Sequence, residues 1–174
     1  MPYEKMIYGL CLRMMGNASD AQDCAQEVLL SAFRAFGGFR AQSSIKTWLY
    51  RIAYNTCLDA LRRRRGEVSL DALREAGFDP PESRLAAPGE EMERRELRRQ
   101  IEYALTLLPE DQRAAMILRD FQGLSYQEIA SVLSLSEGTV KSRLSRTREK
   151  VKNILMEMEQ NDGLSVQKGE GRQK

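Results

Sequence analysis

The chain has 174 residues, 42% hydrophobic and 30% charged, which is enough for one ordinary domain or two small ones with a buried core. No apolar stretch approaches the roughly 18 to 20 residues that cross a bilayer, so we expect no membrane insertion. Histidine is absent, which excludes a Ser-His-Asp triad, a Cys-His dyad and histidine-ligated metal sites, and we expect no enzyme activity and no cofactor.

The net charge of +2 hides a segregation along the chain. Residues 1–65 carry 10 Lys or Arg against 5 Asp or Glu, and residues 137–174 carry 9 against 6, whereas the segment between them is acidic. Two basic ends that flank an acidic middle indicate a polyanion contacted at two places.

Apolar residues recur with a helical period and never alternate as in a strand, which predicts an all-α fold. The first helix is expected from Tyr3 to Met15 and ends at a Gly16-Asn17 turn. The second begins at Ser19 as N-cap and ends at Gly37. Its buried stripe is predicted to comprise Ala21, Cys24, Ala25, Val28, Leu29, Ala32, Phe33 and Phe36. A third helix over 45–64 is predicted to bury Trp48, Leu49, Ile52, Ala53, Cys57 and Leu61.

A Pro- and Gly-containing segment divides the chain into two small helical domains. Residues 1–65 form the first domain, 66–92 a flexible linker, 93–160 the second domain and 161–174 a flexible tail. In the second domain Pro109 opens a helix that reaches Phe121. Ser125 and Glu128 have the spacing of a capping box, and Ser136 can cap the helix that follows.

The short helix after Ser125, the tight turn and the longer basic helix have the spacing of a helix-turn-helix. Between Glu137 and Lys152 six basic residues accompany two acidic ones, a density suited to phosphates and guanine edges. A solvated helix face is the plain alternative. The predicted duplex-contacting residues are Lys141, Ser142, Arg143, Ser145, Arg146 and Arg148.

Four consecutive arginines, 62–65, end the third helix. Cations at a helix C-terminus stabilise its dipole, which offers a structural explanation, but four exceed that need. Aromatic and amide groups beside cations are suited to unstacked bases. The predicted single-strand-contacting residues are Arg51, Tyr54, Asn55, Asp59, Arg62 and Arg63.

Asp20, Asp23 and Glu27 form an acidic face opposite the apolar stripe of the second helix. A docking surface for a basic partner and a plain solvated face both fit this pattern. The three cysteines, Cys11, Cys24 and Cys57, lack CxxC spacing and sit among apolar residues, so they are interpreted as buried reduced thiols of a cytoplasmic protein, with no metal site.

Together these motifs resemble bacterial extracytoplasmic-function sigma factors. Region two of that family is similar to residues 20–27, Phe39-Arg40 and 47–55, followed by Asp59 and the arginines. Region four is similar to Leu107-Leu108-Pro109 with Gln112-Arg113, to 123–130 and to 137–143. The resemblance covers both ends of the chain in the family's order.

The resemblance implies a dissociable initiation subunit that binds core RNA polymerase and directs it to promoter DNA. Asp20, Asp23, Gln26 and Glu27 would dock the clamp helices of the large polymerase subunit. The third helix would capture the minus-ten element with one base extruded, and the basic helix would read the minus-thirty-five element. An anti-sigma factor is expected as a further partner.

Two rival interpretations remain open on the residues alone. A helix-turn-helix transcriptional regulator would bind duplex DNA on its own, and a helical adaptor would bind no nucleic acid. Compared with the family, the chain also lacks about two dozen residues before Tyr3, so either the true start lies upstream of Met1 or the chain is shortened; shortening would uncover the core near Phe33 and Trp48.

Overall fold

The computed structural model describes residues 3–67 and 88–170, and these residues form only helices and turns. The seven α-helices are α1 (Glu4–Met15), α2 (Ala18–Ala35), α3 (Ile45–Glu67), α4 (Pro88–Thr106), α5 (Glu110–Met116), α6 (Tyr126–Leu133) and α7 (Glu137–Glu170). A 3-10 turn, Phe36–Gly38, follows α2, and a π-helical turn, Ile117–Phe121, extends α5. The predicted all-α fold is confirmed. None of the helices in the described ranges is long and apolar enough to span a membrane.

Helices α3 and α4 extend into the segment expected to be a linker, and α7 extends into the segment expected to be a tail. Most of the predicted linker, 68–87, lies outside the described residues, but α3 runs on to Glu67 and α4 already begins at Pro88. At the other end, the backbone of α7 stays helical to Glu170, ten residues beyond the expected end of the second domain. The four residues after Glu170 lie outside the described part of the chain.

The first three helices pack into one bundle around Ile7, Leu10, Val28, Tyr50 and Ala53, each fully buried. A tight turn joins α1 to α2, because Gly16 adopts a left-handed backbone with φ of 78°.

The N-cap of α2 is Asn17, not Ser19 as the sequence predicted. The side-chain oxygen of Asn17 accepts a hydrogen bond from the Asp20 backbone N–H at 2.9 Å, and its own backbone is extended. Both residues belong to the preferred N-cap types, and the position of the Gly16 turn decides between them.

The predicted buried stripe of α2 is wrong at its C-terminal end. Phe33 is 84% exposed and Phe36 56% exposed, and Leu29 also reaches solvent. The physical reason is length: α2 has 18 residues and α1 has 12, so α2 extends about 9 Å beyond its neighbour. Trp48 is half-buried and packs against Phe36 and Phe39, with ring centroids 6.4 and 5.1 Å away.

Helices α4 to α7 form the second domain around Leu105, Ile117, Leu118, Ile129 and Leu144. The guanidinium of Arg113 lies beneath the loop between α4 and α5, where it donates to the carbonyls of Thr106 (2.7 Å) and Leu108 (3.1 Å). A third bond, 2.6 Å to the Met14 carbonyl, joins this domain to the end of α1.

The two domains pack face to face, with α3 lying against α6. The Tyr50 hydroxyl donates to Gln122 Oε1 at 2.7 Å, and Arg51 Nη2 donates to Ser131 Oγ at 2.7 Å. Arg13 of α1 lies 4.4 Å from the centroid of the Phe121 ring. The same guanidinium pairs with the buried Glu102 carboxylate of α4 at 3.5 Å. Burial raises the pKa of Glu102, although Arg13 opposes the shift.

Candidate nucleic-acid interface

The helix-turn-helix forms as predicted, from α6, a three-residue turn and α7. Ser125 caps α6, and Glu128 completes the capping box by accepting from the Ser125 backbone N–H and hydroxyl, both at 2.8 Å. These two bonds lower the pKa of Glu128. Ser136 caps α7 by accepting from the Thr139 N–H at 3.2 Å.

The six predicted duplex-contacting residues all lie on α7, but their side chains are not equally free to contact DNA. Lys141, Ser142, Ser145 and Arg146 are exposed. Within the described part of the chain, the Arg146 side chain makes no ion pair or hydrogen bond, and its guanidinium is free for a ligand. The ammonium of Lys141 lies 5.6 Å from the centroid of the Tyr126 ring.

Two arginines of this helix are held by aspartates from the preceding segment. Arg143 is 22% exposed and pairs with Asp111 at 3.0 Å. Arg148 makes a bidentate pair with Asp120, at 2.6 and 3.2 Å, and this hydrogen bonding raises the pKa of Arg148. The sequence did not identify either aspartate, because partners 28 and 32 residues apart leave no periodic signal.

The predicted single-strand-contacting residues of α3 fall into two sets. Asn55, Asp59, Arg62 and Arg63 are exposed at the C-terminal half of the helix. Within this set Arg62 pairs with Asp59 at 3.4 Å. Outside this set, the Arg65 guanidinium donates a hydrogen bond to the Glu110 carboxylate of the second domain.

Arg51 and Tyr54 instead face the second domain. Arg51 is bonded to Ser131 of α6, as described above. Tyr54 is half-buried, and its pKa is raised by burial and by nearby Asp111. Tyr54, Arg62 and Arg65 line a small cavity with Glu110 and Asp111 of α5, so α3 contributes side chains from its predicted DNA-contacting set to the domain interface.

The acidic surface, Asp20, Asp23, Gln26 and Glu27, lies on α2. Asp23, Gln26 and Glu27 are exposed, whereas Asp20 is half-buried and pairs with Arg64 of α3 at 3.2 Å. An open groove between α2 and α3 collects Asp20, Asp23 and Glu27 on one side and arginines 62–64 on the other.

Comparisons with known proteins give the same two-part organisation. Residues 1–67 match the family described as Sigma-70 region 2, and residues 98–151 match Sigma-70, region 4. The RNA polymerase sigma-H factor of Pseudomonas aeruginosa is 41% identical over 160 residues, which cover 89% of this chain and 83% of that protein. The ECF RNA polymerase sigma-E factor of Escherichia coli is 37% identical over 156 residues, covering 87% and 81%.

Two solved structures share the fold over most of their length. The sigma factor RpoE of Bartonella quintana, determined in complex with the anti-sigma factor NepR, superposes with a TM-score of 0.74 at 25% identity, covering 89% of this chain and 92% of that one. CnrH, determined in complex with the cytosolic domain of CnrY, gives a TM-score of 0.62 at 25% identity, covering 88% and 83%. The chain therefore belongs to the extracytoplasmic-function group of the sigma-70 family of RNA polymerase sigma factors.

Proposed function

We propose that this sigma factor docks on core RNA polymerase through the acidic surface of α2 and directs it to promoters with two DNA-contacting helices. The α3 face would bind the minus-ten element and α7 the minus-thirty-five element. The chain itself supplies contacts and contributes no catalytic group. What supports this assignment is the separation of charge: carboxylates on α2, cations on α3 and α7.

The exposed carboxylates Asp23 and Glu27 are suited to a basic helical partner, because neither makes an ion pair with a described residue. Asp20 is partly neutralised by Arg64 and would contribute less. The proposed polymerase contact is thus centred on Asp23, Gln26 and Glu27.

The minus-ten contact would begin with Asn55, Arg62 and Arg63, which are exposed. Arg51 and Tyr54 are engaged with the second domain in the compact arrangement. Full promoter contact therefore requires the two domains to separate. Contact with polymerase would supply the free energy for separation, and an anti-sigma partner would hold the chain away from polymerase.

Reconstituted transcription with core polymerase and a pool of promoters tests the proposal. The variant Asp23→Lys/Glu27→Lys should lose core binding and transcription by at least about tenfold, because charge reversal at a docking surface opposes association. Glu157→Lys, an exposed carboxylate of α7, is the matched control and should behave as the wild type.

Equal loss in both variants, or in neither, would contradict the assigned docking surface. Tight binding of promoter duplex by the isolated chain at physiological salt would instead favour a regulator that binds duplex on its own. Each domain offers only a few phosphate contacts, so we expect weak duplex binding without polymerase.

A further inference from the structure

The three cysteines of the chain meet in the core of the first domain, one from each of α1, α2 and α3. Cys24 Sγ lies 3.4 Å from Cys57 Sγ, and Cys57 Sγ lies 3.8 Å from Cys11 Sγ. All three sulfurs lie within 4.8 Å of one another, and all are free thiols. Cys11 and Cys57 are fully buried, and Cys24 is 5% exposed.

These separations suit a single ion at the centre of the three sulfurs. A zinc-like ion sits about 2.3 Å from each thiolate, which places the sulfurs about 3.8 Å apart in tetrahedral and about 4.0 Å apart in trigonal coordination. The 3.8 Å between Cys57 and Cys11 already fits, and the 3.4 Å between Cys24 and Cys57 would have to widen by a few tenths of an ångström. A disulfide would use two of the sulfurs and leave the third without a role.

The cluster also has a route to solvent. Cys24 lines the groove between α2 and α3, together with Asp20, Asp23 and Glu27. Arginines 62–64 line the opposite side, so the groove is of mixed charge, and because it is open it offers an entry path to an otherwise dry site.

We infer that Cys11, Cys24 and Cys57 form a three-thiolate site for a soft d10 metal ion, either Cu(I) or Zn(II). Thiolates select these ions over hard cations. Binding replaces three S–H bonds by three metal–sulfur bonds and releases up to three protons, with no change of oxidation state. Cu(I) would be three-coordinate, whereas Zn(II) would take a water from the groove as its fourth ligand, since the described residues add no fourth protein ligand to the cluster.

A metal ion bound by the three cysteines would link this site to the two functions proposed for the first domain, polymerase docking and minus-ten binding. Cys24 adjoins Asp23 of the acidic surface, and Cys57 lies between Asn55 and Asp59 of the DNA-contacting face of α3. An ion that binds only the folded bundle stabilises it by mass action. The relative orientation of docking and DNA-contacting helices would then be fixed by the metal.

The test uses the full chain, reduced and kept under anaerobic conditions, with Zn(II) and Cu(I) added in separate titrations. We expect thiolate-to-metal charge-transfer absorption that saturates at one ion per chain, and a rise of several degrees in the midpoint of thermal unfolding. Saturation with Cu(I) alone, or with Zn(II) alone, would identify the ion. Co(II) serves as the spectroscopic substitute in the zinc titration.

Cys24→Ala is the main variant, because Cys24 lies at the groove side of the cluster and its loss leaves the least buried space. It should weaken metal affinity at least about 100-fold while the metal-free variant keeps the helical circular dichroism of the wild type. Gln22→Ala, at an exposed position of the same helix that does not line the groove, is the control and should keep full affinity.

Failure of both ions to saturate at one per chain would overturn the site, as would unchanged affinity in Cys24→Ala. A different outcome is that the chain binds neither ion and loses the mass of two hydrogens after treatment with hydrogen peroxide. That result would assign a Cys24–Cys57 disulfide in place of the metal site.

Discussion

Ser134 shows how one residue shapes the helix-turn-helix. It ends α6 in the left-handed region, with φ of 56° and ψ of 48°, a conformation that costs a non-glycine residue roughly 1 kcal/mol or more. The α7 helix can reach its orientation against α6 only through this bend.

We expect Ser134→Gly to stabilise the protein by about 0.5 to 1 kcal/mol, because glycine adopts this conformation without steric cost. Urea unfolding measures the change. Ser145→Gly, an exposed position inside α7, is the control and should destabilise by a similar amount, since it has no left-handed backbone to relieve. Loss of stability in both variants would mean that the turn is not strained.

At the scale of a single element, the capping box of α6 makes its stability depend on pH. Glu128 accepts two hydrogen bonds from Ser125, and these lower its pKa below the ordinary value of 4.5. The folded state therefore binds the proton less tightly than the unfolded state. The stabilisation is complete above the unfolded pKa and is lost as the pH falls through the folded pKa.

The variant Glu128→Gln should accordingly be less stable than the wild type at pH 7, by about 1 kcal/mol, and the difference should be smaller at pH 3. Denaturant unfolding at the two pH values measures the difference. A stability difference that does not change with pH would show that the carboxylate charge is not part of the cap.

Some cations of α7 are free, whereas others are paired with aspartates of the same domain. This difference predicts different roles for neighbouring arginines. If Arg146 contacts a guanine, Arg146→Ala should cost about 1 to 3 kcal/mol on the preferred promoter and relax one position of the minus-thirty-five element. Transcription from a set of single-base promoter variants measures both effects.

Arg148→Ala is the comparison, because the ion pair with Asp120 holds the Arg148 side chain to one side of α7. Its loss should weaken all promoters equally and reduce the salt dependence of binding. A uniform effect from Arg146→Ala would place Arg146 on phosphate instead.

At the scale of the whole molecule, Tyr50–Gln122 and Arg51–Ser131 are two of the hydrogen bonds that join α3 to the second domain without involving the proposed docking surface. Removing the acceptors with Ser131→Ala and Gln122→Ala leaves Arg51 and Tyr50 intact. We expect the double variant to favour separated domains by about 2 kcal/mol, roughly a 30-fold shift in the equilibrium.

Small-angle X-ray scattering measures this shift as an increase in the radius of gyration. Gln160→Ala, an exposed amide of α7, is the control and should keep the compact dimensions. An unchanged radius in the double variant would mean that apolar packing and the contacts of Arg13, Arg65 and Arg113 are enough to hold the domains together.

Local patterns were enough to predict the helices, because periodicity and caps act over a few residues. The capping box at Ser125, the left-handed turn after Met15 and the outward cations of α7 all follow from neighbouring residues. Where two local signals competed, as between Asn17 and Ser19, the tertiary turn decided the outcome.

The sequence by itself determined an all-helical chain with a helix-turn-helix and segregated charge, since each of these depends on short-range order. Only the tertiary structure decided which charges are free of ion pairs. It also placed Phe33 in solvent beyond the end of α1 and brought together three cysteines that are 13 to 46 residues apart. The physical reason is that contacts between helices depend on their lengths and crossing positions, which side-chain periodicity within one helix does not encode.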